Sequence, residues 1–176
     1  MNEIIKKNGI SYGVILGVVS ILITAIIYSV DINLFLSSWI TFVKVIAFLT
    51  VMILLLSKTK KELNGIYSFK QAFTTFFIAA CIGLLLATTF EIILFNFIDP
   101  SLKDTIKEMS IKFTVNFMEK FGAPQTEINK AIVKLQETDQ FSIGQLLQGT
   151  FFYLVFASIP GLILAAIFKT KSPNRE

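Results

Sequence analysis

The chain has 176 residues, enough for one domain, and is 54% hydrophobic and 16% charged, where soluble domains carry about 25% charged residues. It has no histidine and one cysteine, Cys81; the first removes the commonest general base, metal ligand and pH switch, and the second rules out an internal disulfide. Net charge is +4, and in a chain this apolar its placement matters more than its sum.

Four apolar runs, near residues 10–30, 34–57, 72–97 and 144–168, are long enough to cross about 30 Å of hydrocarbon at 1.5 Å per residue. Backbone groups cannot stay unpaired in lipid, so each run is predicted to be an α-helix. The expected fold is an all-α membrane protein with four transmembrane helices, one integral domain over 1–176, surrounded by the lipid bilayer.

The first run follows Lys6 and Lys7, as a signal peptide would, but it is long and lacks a clear small-x-small cleavage site. An uncleaved first span is the favoured reading. It carries Gly9, Gly13 and Gly17 at four-residue spacing. The third run repeats that spacing with Ala79, Gly83 and Ala87, and the fourth with Ala157, Gly161 and Ala165. Small side chains let helix backbones approach closely in lipid. Packing within one chain is the plain reading, and a homo-oligomer or another membrane protein seated on such a face is the sharper one. Ser68 with Gln71, and Ser142 with Gln145, form capping-box patterns before the third and fourth runs. Pro160, inside the fourth run, predicts a kink.

Lysine and arginine set the orientation. Lys6, Lys7, Lys58, Lys60, Lys61, Lys70, Lys169, Lys171 and Arg175 fall in the three segments that share a side in a four-span chain. The turn "DIN" (31–33) has no basic residue, and segment 99–142 balances six lysines against seven acids. Both termini are therefore expected in the cytoplasm and 99–142 outside, with the chain in the cytoplasmic (inner) membrane. The basic loop "KTKKE" reads as this positive-inside signal, so no nucleic-acid partner is expected.

Segment 99–142 reads as an extracytoplasmic helical hairpin. Pro100, Ser101 and Asp104 give a helix start. Leu102, Ile106, Met109, Phe113 and Phe117 recur on one helical face, and Ile111, Val115 and Met118 form a second strip opposite. "GAP" (122–124) stops that helix, and Ile128, Ile132 and Leu135 mark the next. One strip is expected to pack on the second helix, and the other to meet the bilayer, the span ends or a partner.

Two charges lie inside the apolar runs. Lys44, in "WITFVKVIAFLTVMILLL", is about 18 Å from the cytoplasmic end of its span, and Glu91, in "TTFEIILF", is about 28 Å from the same side. Side chains tilt toward the N-terminus of their own helix, so the two lean toward each other. A lone mid-span lysine costs about 2.5–3.5 kcal/mol, which pairing reduces. Glu91, Asp31 and water are its candidate partners. The couple then reads as an intramembrane ion pair that fixes helix register, or as a polar site for a proton, ion or anionic headgroup. Simple snorkelling is the third reading. A Ser–Lys dyad of Lys44 with Ser37, Ser38 or Thr41 lacks an oxyanion hole.

The sequence has no phosphate-loop or zinc motif and no paired carboxylates within a span, so no metal or cofactor and no enzymatic activity is expected. "YSFKQAF" (67–73), "FEIILFNFIDP" (90–100), the Lys/Glu/Met-rich segment between them and the last span, and "IPGLILAAIFKTK" (159–171) together resemble a bacterial family of small four-span membrane proteins, domain-of-unknown-function family 4199. The resemblance covers nearly the whole chain and implies four spans, with no assigned activity or site residues. The expected function is a non-enzymatic packing, regulatory or partner-binding membrane protein. The alternative is a small transporter or channel component using Lys44 and Glu91.

Overall fold

A computed structural model describes residues 2–170; Lys171 and Arg175, counted above among the orienting cations, lie outside the described residues. Six α-helices follow in order: α1 (Glu3–Val30), α2 (Ser38–Glu62), α3 (Phe69–Ile93), α4 (Leu102–Lys120), α5 (Gln125–Glu137) and α6 (Ile143–Phe168). Of these, α1, α2, α3 and α6 are long and apolar enough to cross a membrane, which marks a multi-pass membrane protein. Their outward apolar side chains, among them Leu22, Ile26, Phe42, Leu54, Phe156 and Ile163, are exposed in the bare chain, as surfaces meant for lipid are.

Helix ends differ from the expected spans for local reasons. α1 starts seven residues before the expected 10, because the Asn2 side chain accepts from the Ile4 amide and caps it. α2 starts at Ser38 and not near 34, because residues Ile32–Leu36 form a 3₁₀ turn held by the Asp31 carboxylate, which accepts from the Asn33 amide at 2.9 Å. It runs on to Glu62 with Lys60 and Lys61 in its last turn, where cations suit the helix dipole. Asn64 (φ 53°) and Gly65 (φ 81°) then close it as a Schellman motif: the Asn64 amide donates to Lys61 and the Gly65 amide to Lys60.

The Ser68–Gln71 capping box is complete. At Ser142 only the hydroxyl half forms, accepting from the Gln145 amide at 3.4 Å. α3 does not end as a regular helix; Leu94–Ile98 continue it as a π-turn. Ser101 does not cap α4 through its side chain; its hydroxyl donates to Asp99 at 2.5 Å instead. That bond, helped by the Tyr28 hydroxyl and the Leu102 amide, holds the Asp99 carboxyl below the ordinary aspartate range against the opposing effect of burial. "GAP" stops α4 as expected, with Gly122 at φ 72° and the Gly122 and Ala123 amides returning to Glu119 and Met118.

The bundle has a near end, carrying Glu3, Glu62, Phe69 and Phe168, and a far end, carrying Val30, Ser38, Ile98 and Ile143. The main core lies toward the near end, where Leu16, Met52, Leu55, Leu56, Phe76 and Leu164 meet. Tyr67 is fully buried there, and its hydroxyl donates to Thr75 at 2.8 Å. Burial pushes its phenol up to about 12 against the hydrogen bonds to Thr75 and Thr59, so it stays neutral. A second, smaller cluster caps the far end: Leu94 and Phe95 of the π-turn, with Leu102 and Ile106 of α4.

Candidate functional site

α3 is the central helix, and the small residues explain why. A Cβ on Gly9 would stand 2.9 Å from Ile78, one on Gly13 would stand 3.0 Å from the Ala79 carbonyl, and one on Gly17 would stand 2.7 Å from Leu86. Gly83 answers from the other side, where a Cβ would stand 2.6 Å from Leu16. Gly161 of α6 leaves room for the Phe76 ring, at 2.5 Å from its missing Cβ. Ala79 and Ala165 are fully buried, while Ala87 and Ala157 are half-buried. The glycine faces of α1, α3 and α6 are thus occupied within this chain. Pro160 lies inside α6, which is continuous over Ile143–Phe168; having no N–H, it leaves the Phe156 carbonyl without its helical donor.

Lys44 and Glu91 are both half-buried, on α2 and α3. Counted from Ser38 and from Ile98, they stand about 9 Å and about 10 Å in from the far end at helical rise. Counted from Glu62 and Phe69 at the near end, the offset of about 10 Å expected from sequence narrows to about 6 Å, because α2 runs on past its apolar run. The Lys44 ammonium is the cation whose field acts on the Glu91 carboxylate. Ion pairs within 4.0 Å among the described residues are Lys58–Glu62, Lys103–Asp139 and Lys130–Glu127, so Lys44 and Glu91 are neighbours without a direct bridge. Asp31, the other candidate partner, is engaged with the amide and side chain of Asn33.

Two polar networks escaped the sequence reading. At the near end, buried Asn8 donates to Thr59 at 3.2 Å and to the Glu62 carboxylate at 2.7 Å. Close by, the Thr170 hydroxyl accepts from the Tyr67 amide and donates to the Gly65 carbonyl, tying the chain after α6 to the α2–α3 loop. At the far end, Asn96 in the π-turn donates to the Phe141 carbonyl at 3.1 Å and accepts from Lys103 at 2.7 Å, while Lys103 also reaches Asp139. Tyr28 closes this end by donating to Asp99 at 3.2 Å. Only the polar residues Asn8 and Asn96 beside apolar stretches signalled either network.

Between the spans, α4 shows two unlike strips. Leu102 and Ile106 are buried on the bundle end and Met109 is half-buried, but Phe113 and Phe117 on the same face are exposed, because only the first turns of α4 reach the bundle. With Phe121 they form an aromatic row, Phe113 and Phe117 stacked at 6.3 Å and Phe117 and Phe121 tilted at 4.7 Å, exposed by 52, 55 and 73%. The opposite strip, Ile111, Val115 and Met118, is half-buried. In α5, Ile128 is buried, Ile132 and Leu135 are half-buried, and the Gln136 carbonyl accepts from Lys107 at 3.0 Å.

Comparison with curated proteins and with solved structures found no match. The family described as Protein of unknown function (DUF4199) matches residues 11–170. That match takes in all but the first turns of α1 and the last few residues, and with four membrane-length helices spanning it, the chain belongs to that family.

Proposed function

We propose that the protein is a non-enzymatic protein of the cytoplasmic membrane, with both termini in the cytoplasm, that docks a protein partner outside the membrane through α4. The orientation rests on the excess of lysine and arginine at the near end. In this reading α4 and α5 fold back on each other as an extracytoplasmic hairpin, with Ile111, Val115 and Met118 facing Ile128, Ile132 and Leu135. The outer part of the opposite face of α4, from Phe113 on, is then left without a cover inside the chain. The observation that carries the reading is the row Phe113, Phe117 and Phe121. Three exposed phenylalanines in a row along α4 and its C-terminal cap form an apolar patch of the kind that marks a contact surface, and aromatic side chains dominate such contacts.

Replacing Phe113, Phe117 and Phe121 together by serine tests it. A single aromatic anchor is worth about 2 kcal/mol, so losing three should weaken association at least about a hundredfold. In gently solubilised membranes the native chain should migrate as a complex larger than the monomer, and the triple variant as the monomer with an unchanged unfolding midpoint. A native chain that is already monomeric, or a triple variant that keeps the complex, would sink the docking reading.

A further inference from the structure

The bundle is packed unevenly along its length. α1 buries residues from Ile5 to Ile27, and α3 with its π-turn from Ala72 to Phe95. α2 buries nothing before Met52, and α6 nothing before Gly161. In the far half, therefore, α2 lies loosely against the α1–α3 pair and leaves a wedge between α2 and α3, whereas α6 is tied to α3 there through the Thr88 and Thr150 hydroxyls.

Lys44 and Glu91 stand on the two walls of this wedge. Each is half-buried, neither is bridged to the other, and no hydrogen bond joins either side chain to another described residue. A cation and an anion held side by side and apart complement a zwitterion. Their depth, about 10 Å from the helix ends, is near the boundary of a hydrocarbon core about 30 Å thick. The Lys44 side chain leans toward the N-terminus of α2, which is the far end, and so snorkels toward the headgroup level. Exposed Val45 and Ile46, its neighbours on α2, offer apolar surface to acyl chains.

We propose that the wedge between α2 and α3 is a binding site for one zwitterionic aminophospholipid of the far-end leaflet, its phosphate on the Lys44 ammonium and its own ammonium on the Glu91 carboxylate. An ammonium binds phosphate as a compact point charge, and a carboxylate accepts the N–H donors of a primary ammonium. A phosphate without a cationic headgroup satisfies Lys44 alone and leaves Glu91 against a like charge.

The test uses the full chain reconstituted in a bilayer of equal parts phosphatidylethanolamine and phosphatidylglycerol, then released for native mass spectrometry of the lipid retained. The native chain should keep phosphatidylethanolamine over phosphatidylglycerol by about tenfold, the equivalent of one good contact of about 1.4 kcal/mol. Lys44→Met should lose retention of both lipids. Glu91→Gln should lose the preference for phosphatidylethanolamine and still hold phosphatidylglycerol through Lys44. An arm that needs no variant replaces phosphatidylethanolamine by phosphatidylcholine, whose methylated ammonium has no N–H donor, and retention by the native chain should fall. No headgroup preference in the native chain, an unchanged preference in Glu91→Gln, or equal retention of the ethanolamine and choline lipids would overturn the proposal and leave Lys44 and Glu91 to each other.

Discussion

Gly13→Ala should destabilise the bundle by about 1–3 kcal/mol, the usual cost of adding volume to a filled contact. A methyl group there would stand 2.8 Å from the Ile82 Cβ, 3.0 Å from the Ala79 carbonyl oxygen and 3.1 Å from the Ala79 Cα. The last two are backbone atoms, so no rotamer change relieves the clash and the two helices must move apart. Since close approach is what holds helices together in lipid, where hydrophobic drive between them is missing, the separation loses contact along the whole α1–α3 seam. Gly149 supplies the control: a Cβ there meets nothing within 4 Å, and alanine in an open helical position should stabilise by up to about 1 kcal/mol. Unfolding in mixed micelles measures both. Equal effects at the two sites would show that the α1–α3 seam does not hold the bundle.

Asn8→Ala should cost about 2 kcal/mol, the range for losing a hydrogen bond to a charged group. Asn8 is 3% exposed, and its amide serves two residues of α2 at once, Thr59 and Glu62. Its removal takes one hydrogen bond from the buried Thr59 hydroxyl, which keeps its own bond to the Leu55 carbonyl. Glu62 is partly solvated, so its carboxylate recovers water and the loss stays moderate. Thr59→Val removes the other end of one of these bonds. The double variant Asn8→Ala with Thr59→Val should therefore lose less than the sum of the single changes. Strict additivity would mean that the α1–α2 bond is not formed in the folded protein.

Four spans were legible because length and hydropathy alone decide what crosses a bilayer. The helix signals were legible where one local motif sufficed: the capping box at Ser68 and the stop at Gly122. What escaped depends on residues far apart in the chain. Asn8 meets α2 more than fifty residues later, and Asn96 meets Phe141 across α4 and α5. Periodicity put Phe113 and Phe117 on the face of Leu102 and Ile106, but not where along that face the bundle ends. The π-turn has no marker in "LFNFI", and the depth of Lys44 depends on the polar last turn of α2, which lies beyond its apolar run. Four-residue spacing marks small residues as candidate packing positions, while the side chains that meet Gly9, Gly13, Gly17, Gly83 and Gly161 came only from the fold.

Orientation underlies the account: α4 meets a partner outside only if the segment between α3 and α6 is outside. Single cysteines in a Cys81→Ser background, one replacing Lys60 in the last turn of α2 and one replacing exposed Lys130 in α5, test it with a membrane-impermeant maleimide on intact cells. The account predicts labelling at 130 in intact cells and at 60 only after permeabilisation. Labelling of 60 in intact cells with 130 protected would reverse the orientation, and labelling of both from one side would mean that α3 does not cross.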